Sequence, residues 1–103
     1  MKLTIFKGIA HDLAWNLGFL THISSTTQLN NLFSDLPIET NVLEKKDKFD
    51  NYCLDFFKKR VPKSFDFNRV EYIAISINLS GASISVNIKI KIDGKLFSES
   101  VNY

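Results

Sequence analysis

The chain has 103 residues, 45% hydrophobic and 23% charged, with 13 basic and 11 acidic side chains and a formal charge of +2. That length sets one domain, residues 1–103, able to bury roughly 65% of its unfolded surface in one two-layer core. The balanced charge argues against nucleic-acid binding driven by net charge. The single cysteine excludes an internal disulfide framework and a zinc-type cysteine spacing. No apolar run approaches the ~20 residues of a membrane span.

The first residues do not read as a secretory leader. Lys2 and Lys7 mimic its basic region, but His11, Asp12 and Asn16 interrupt the apolar stretch that would follow. The expected location is cytoplasmic. Residues 2–7 read as a short strand or as the approach to a helix. Residues 8–23 read as a helix, because Ile9, Leu13, Leu17 and Leu20 recur at helical spacing. Gly18 weakens that helix by about 1 kcal/mol relative to alanine. Residues 24–27 form a loop. Leu29, Leu32, Phe33 and Leu36 suit a short helix that stops before Pro37.

Residues 38–43 suit an extra strand, with Ile38, Thr40 and Val42 on one face. Residues 46–60 read as the second clear helix. Phe49, Tyr52, Cys53, Phe56 and Phe57 make its apolar face, Lys58, Lys59 and Arg60 suit the negative end of its dipole, and Val61-Pro62 ends it.

The last third alternates apolar and polar residues, cut by two turn signals. Asp93-Gly94 is the strong one, a two-residue hairpin loop that favours positive φ. It sets Ile92 opposite Lys95, Ile90 opposite Phe97, Ile88 opposite Glu99, Val86 opposite Val101 and Ile84 opposite Tyr103. Gly81-Ala82 is weaker, and as a two-residue loop it sets Leu79 against Ile84, Ile77 against Val86, Ile75 against Ile88 and Ile73 against Ile90. The two registers agree. They gather the isoleucines with Leu79, Phe97 and Val101 on one face, and place serines, asparagines, Tyr72, Lys89, Lys91 and Leu96 on the other. A one-residue slip would turn the whole apolar set to water. The expected fold is α+β in two layers: an N-terminal helix and a central amphipathic helix on one face of a three- to four-stranded antiparallel meander. Residues 69–80 and 95–103 are both candidate sheet edges, open to strand addition by another chain, so the expected state is a monomer or a strand-paired homodimer.

The chemistry-bearing residues are scattered. His11 and Asp12 are adjacent in a helix and point ~100° apart. His11 and His22 share a side of the helix but stand ~16 Å apart, too far for one metal ion. Cys53, among Phe49, Tyr52 and Phe56, reads as a buried small hydrophobe. Asp35, Glu39, Glu44, Asp47, Asp50 and Asp55 are spread through the middle and mostly expected in water, with Asp47 suited to a helix's first turn. No catalytic, cofactor or metal site is expected.

Three oddities carry the functional reading. Glu99 falls on the apolar face opposite Ile88, where it snorkels, meets a partner's basic group or, as the favoured reading, guards an edge as an inward-pointing charge. Trp15 and Phe19 lie nearly opposite the leucine stripe of the first helix. Either residues 24–43 or the second helix cover them, or they are exposed aromatics of the kind enriched at interface hot spots. Tyr72, Lys91 and Leu96 sit side by side on the open sheet face. The candidate partner-binding residues are therefore Trp15, Phe19, Tyr72, Lys91 and Leu96. A basic helix end (Lys58, Lys59, Arg60, Lys63) with Tyr72, Lys89 and Lys91 supports an alternative reading, a nucleic-acid-associated or regulatory domain.

In size, Asn/Lys/Ile-rich composition and an Ile/Ser/Asn-rich meander such as residues 73–79, the chain resembles small bacterial toxin-immunity proteins. The resemblance is one of class, and no defining motif covers any part of the chain. It implies a small protein-binding module that neutralises a toxin domain by stoichiometric binding, with no enzymatic activity. Immunity proteins against nucleases are often strongly acidic. The charge of +2 departs from that pattern, so a nuclease partner is not favoured.

Overall fold

Apolar periodicity and turn chemistry produce the expected α+β architecture. The computed structural model describes residues 2–23, 37–81 and 83–103. Helix α1 spans Ile5–Ile23, strand β1 Ile38–Asn41 and helix α2 Lys48–Arg60. A 3-10 turn at Phe67–Arg69 leads into β2 (Val70–Ser80), β3 (Ser83–Ile92) and β4 (Lys95–Asn102). The four strands form one antiparallel sheet in the order β1-β2-β3-β4. The expected helix through Leu29, Leu32, Phe33 and Leu36 lies outside the described residues.

The derived register holds at every pair from Ile73–Ile90 to Leu79–Ile84, and from Ile92–Lys95 to Val86–Val101. Tyr103 continues it beyond β4, exchanging backbone hydrogen bonds with Ile84 at 3.1 and 2.7 Å. Asp93 (φ 51°) and Gly94 (φ 79°) both adopt the left-handed conformation that a tight hairpin with correct twist demands. A bulge at Glu71 interrupts pairing between Val70 and Tyr72. The displaced Glu71 accepts from the Gly94 amide at 3.0 Å, and Arg69 pairs with Asp93, so the start of β2 is tied to the β3–β4 turn.

Both helices cover the isoleucine face. α1 lies over β3 and β4, and α2 lies beside α1. Phe6, Leu13 and Leu17 from α1 join Phe49, Cys53 and Phe57 from α2 and the inward isoleucines in one buried cluster. Each fully buried side chain of this size stabilises the fold by roughly 1.5–3 kcal/mol. The Tyr52 hydroxyl donates to Asn16 Oδ1 at 2.6 Å and fixes one helix against the other. Asp47 caps α2 by accepting from the Asp50 amide at 2.9 Å, one position before the first helical residue.

Several expectations are corrected. α1 starts at Ile5, so residues 5–7 belong to its first turn. α2 starts at Lys48 because Asp47 is its cap. β1 ends at Asn41, whose Oδ1 accepts from the amides of Leu43 and Ile73, both at 3.2 Å, and turns the chain out of the sheet. β2 is not a free edge over its middle, because β1 pairs with residues 74–77. Leu79 faces the expected side but is 54% exposed, at the tip of the β2–β3 hairpin. Phe97 is only half-buried.

Candidate functional site

The aromatic residues singled out on α1 converge on the end of the chain's last strand. Tyr103 lies beside Gly18, where an added Cβ would come within 3.3 Å of its ring. A glycine here lets the ring lie against the helix backbone. Around it stand Trp15 (centroids 5.8 Å apart), Phe19 (6.3 Å) and His22 (5.1 Å), the first two in edge-on geometry. Trp15 Nε1–H donates to His11 Nε2 at 2.9 Å. That accepting role leaves the other ring nitrogen, Nδ1, to carry the proton, and it faces Glu99 Oε2 at 3.5 Å, with Lys7 Nζ 3.9 Å from the other oxygen.

Trp15 and Phe19 remain 45% and 46% exposed despite these contacts. Neither α2 nor residues 37–43 bury them, and the aromatics form a surface ridge; residues 24–36, the rest of the expected cover, lie outside the described residues. Sequence reasoning missed the part of Tyr103. The signal was present: the register extends to Ile84–Tyr103 and puts the ring on the helix side. Glu99 points to the helix side of the edge strand, as expected, and α1 brings Lys7 and His11 of the same chain to it.

Tyr72, Lys91 and Leu96 are adjacent across β2, β3 and β4, as derived. Tyr72 and Lys91 are half-buried and Leu96 is 56% exposed. Beside this row lies a shallow cleft of about 530 Å³, with Ala74, Ser76 and Asn87 on its floor and Glu39, Asn41, Lys45 and Lys89 around it. Among the described residues its lining carries one carboxylate and two ammonium groups and no thiol or imidazole. That suits polar contact more than acid–base chemistry. The site residues thus fall into two groups on different faces: Trp15 with Phe19 on the α1 ridge, and Tyr72, Lys91 and Leu96 on the open sheet face.

The basic helix end is partly spoken for by its own aromatics. Arg60 lies over the Phe56 ring at 3.4 Å and donates to the Phe56 carbonyl, and Lys58 lies 5.7 Å from the Phe67 centroid. Cys53 is fully buried, and burial followed by the nearby Asp50 and Asp47 charges pushes its thiol far up, away from a nucleophilic thiolate. Among the described residues, no three His, Cys, Asp or Glu side chains cluster closely enough to hold a metal ion.

Asp50, expected in water, is fully buried. Thr40 Oγ1 donates to its Oδ1 at 2.7 Å, while Oδ2 has no partner among the described residues. Desolvation raises its carboxyl above the ordinary range. The neighbouring Asp47 moves the other way, held down chiefly by the Asp50 amide it accepts from. The pair pins α2 to β1 and lies away from the aromatic ridge. Compared with known proteins, the chain matches no family model, no curated sequence and no solved structure.

Proposed function

We propose that this chain is a protein-binding module that acts by covering a surface of another protein, in the manner of the toxin-immunity proteins it resembles. The observation that carries the reading is the ridge. Trp15 and Phe19 are close to half exposed, yet Tyr103 and His11 hold Trp15 in one orientation. Rigid, exposed aromatics lose little conformational freedom on binding and dominate interface energetics. The Tyr72–Lys91–Leu96 row offers a second contact patch on the open sheet face. No helix among the described residues is long and apolar enough to cross a membrane, and the proposed setting is the bacterial cytoplasm.

The test is to express the chain together with a toxin domain encoded by a neighbouring reading frame. A one-to-one complex that restores growth supports the reading. Trp15→Ala should weaken that complex by about thirtyfold or more, while destabilising the free chain by only about 1 kcal/mol, the worth of an aromatic pair. A buried tryptophan would instead cost ~3–5 kcal/mol. Retention of nucleic acid in place of protein, with release at high salt, would overturn the reading in favour of a nucleic-acid-associated domain.

A further inference from the structure

We infer that the ridge and the adjoining edge of β4 are occupied by a second copy of this chain, paired antiparallel through β4 about a twofold axis. The inference rests on the reading of the ridge as a protein-contact surface and names what occupies it when no other protein is bound there. The first observation is the edge itself. Ile84 and Tyr103 exchange both backbone hydrogen bonds. In an antiparallel ladder such pairs alternate, so residues 95, 97, 99, 101 and 103 direct their backbone groups toward β3. Leu96, Ser98, Ser100 and Asn102 direct theirs outward. All four are exposed, and among the described residues no strand pairs with them.

A long edge is normally blunted by charge, proline or a bulge. β4 has no proline and no register shift, and its inward charge, Glu99, is already met by Lys7 and His11 of its own helix.

The second observation is self-complementarity. The four outward residues are symmetric about Glu99. A twofold there pairs Leu96 with Asn102 of the second copy and Ser98 with Ser100 of the second copy, using every outward amide and carbonyl in a ladder of about eight hydrogen bonds. The same register brings Lys95 opposite Tyr103 of the second copy. Next to Lys95 lies a groove of about 430 Å³ lined by Lys2, Leu3, Thr4, Lys95 and Phe97. The Tyr103 end of one β4, its ring held against its own α1, thus comes beside the groove at the start of the other, twice, as an isologous interface requires.

The third observation is spacing. α1 lies over β3 and β4 together, about half a strand spacing inside the edge. With strands ~4.8 Å apart, the twofold sets the two α1 axes about 10 Å apart. That is the upper end of the ~8–10 Å of packed helices, and it suits a seam filled by Trp15 and Tyr103. One pairing therefore satisfies the open edge, the groove and the ridge. Lys7 of each copy balances the two Glu99 carboxylates that meet on the axis. A toxin domain that covers the ridge displaces the second copy, and the Tyr72–Lys91–Leu96 face stays free in either state.

Sedimentation equilibrium over a concentration series tests this. Wild type should be a reversible dimer. Ser100→Pro should weaken it by about thirtyfold or more, because it removes only an outward N–H, a loss that an edge strand tolerates. Its circular dichroism should match that of wild type. Trp15→Lys, which leaves the ladder untouched and charges the seam, should dissociate the dimer as well. A wild type that stays monomeric at every concentration overturns the inference, and so does a dimer that both variants leave intact. A monomer whose toxin complex still weakens in Trp15→Ala sinks the dimer alone and leaves the proposed function standing.

Discussion

At one edge of the sheet β1 contributes four residues, and at the other β4 contributes eight. The β1 edge is closed from within. Asn41 ends the strand with a side-chain turn, Thr40 reaches up to Asp50, and Asp47 starts the helix that comes back over it. The β4 edge is left long, with outward backbone groups and a rim of aromatic rings, Trp15 and Phe19, that stay close to half exposed. Polar side chains at the first edge are spent on holding the chain together. At the second, apolar side chains are held in place but not buried. The contrast separates a flank that works in stability from one placed to meet a partner, and changes on each side should read out differently.

The largest effect should come from deleting residues 95–103. Although β4 is the exposed edge, Val101 is buried and pairs with Val86, and Phe97 pairs with Ile90. Its loss uncovers β3 and the Gly18 side of α1, and takes away the Glu99 carboxylate that Lys7 and His11 face. The truncated chain should lose its cooperative thermal transition and aggregate. A soluble truncation with an unchanged melting curve would mean that β4 serves the partner alone.

On the closed flank, Thr40→Val should cost about 1–3 kcal/mol in urea unfolding, because it leaves a second oxygen of the buried Asp50 unpaired. Asp50→Asn probes the same site through pH. Burial raises the folded-state carboxyl above 3.8, so between 3.8 and that raised value the folded chain keeps a proton that the unfolded chain has released. Stability from this group therefore falls as pH rises through that window. Asp47 has the opposite sign. Its folded value is lowered, so its contribution is present above 3.8 and is lost as pH falls through the folded value. Removing Asp50's charge should flatten the decline above 3.8 and leave the acid-side loss from Asp47. Parallel curves for wild type and Asp50→Asn would show that the carboxyl is hydrated. Cys53→Ala should cost less, about 1 kcal/mol, as a small packing defect on the same buried face. Wild-type Cys53 should react with a thiol reagent only when the chain unfolds.

The contrast also marks what the sequence could disclose. The meander was legible because a strand's side chains alternate strictly and Asp93-Gly94 admits one hairpin geometry, so residue numbers alone determined every pair from Ile73 to Val101. The apolar faces of both helices were legible for the same reason, a short fixed period. The edge occupied by β1 was not, since pairing between residues 38–41 and 74–77 depends on how the chain crosses the sheet. Asp50 was illegible because its neighbour Thr40 is brought to it by tertiary packing. Glu99's cations were illegible too, because only the placement of α1 brings Lys7 and His11 to it. Trp15 and Phe19 could be placed opposite the leucine stripe from the sequence, but their exposure and their contact with Tyr103 depend on where α1 lies across β4.

The smallest effect should come from the exposed Asp93-Gly94 turn between β3 and β4. Arg69 pairs with Asp93 there, raising the guanidinium and lowering the carboxylate, chiefly through the hydrogen bond they share. Both groups are exposed to water, where such a pair adds little and is screened by salt. Asp93→Asn removes the charge but keeps the side chain best suited to the left-handed φ of 51° at this position. The Glu71 carboxylate still holds the Gly94 amide at 3.0 Å. The melting temperature should therefore be unchanged at physiological ionic strength and differ slightly at low salt. A large loss at all salt concentrations would show that the Arg69–Asp93 pair, and not the turn conformation, sets the hairpin register, and the order of effects on the two flanks would need revision.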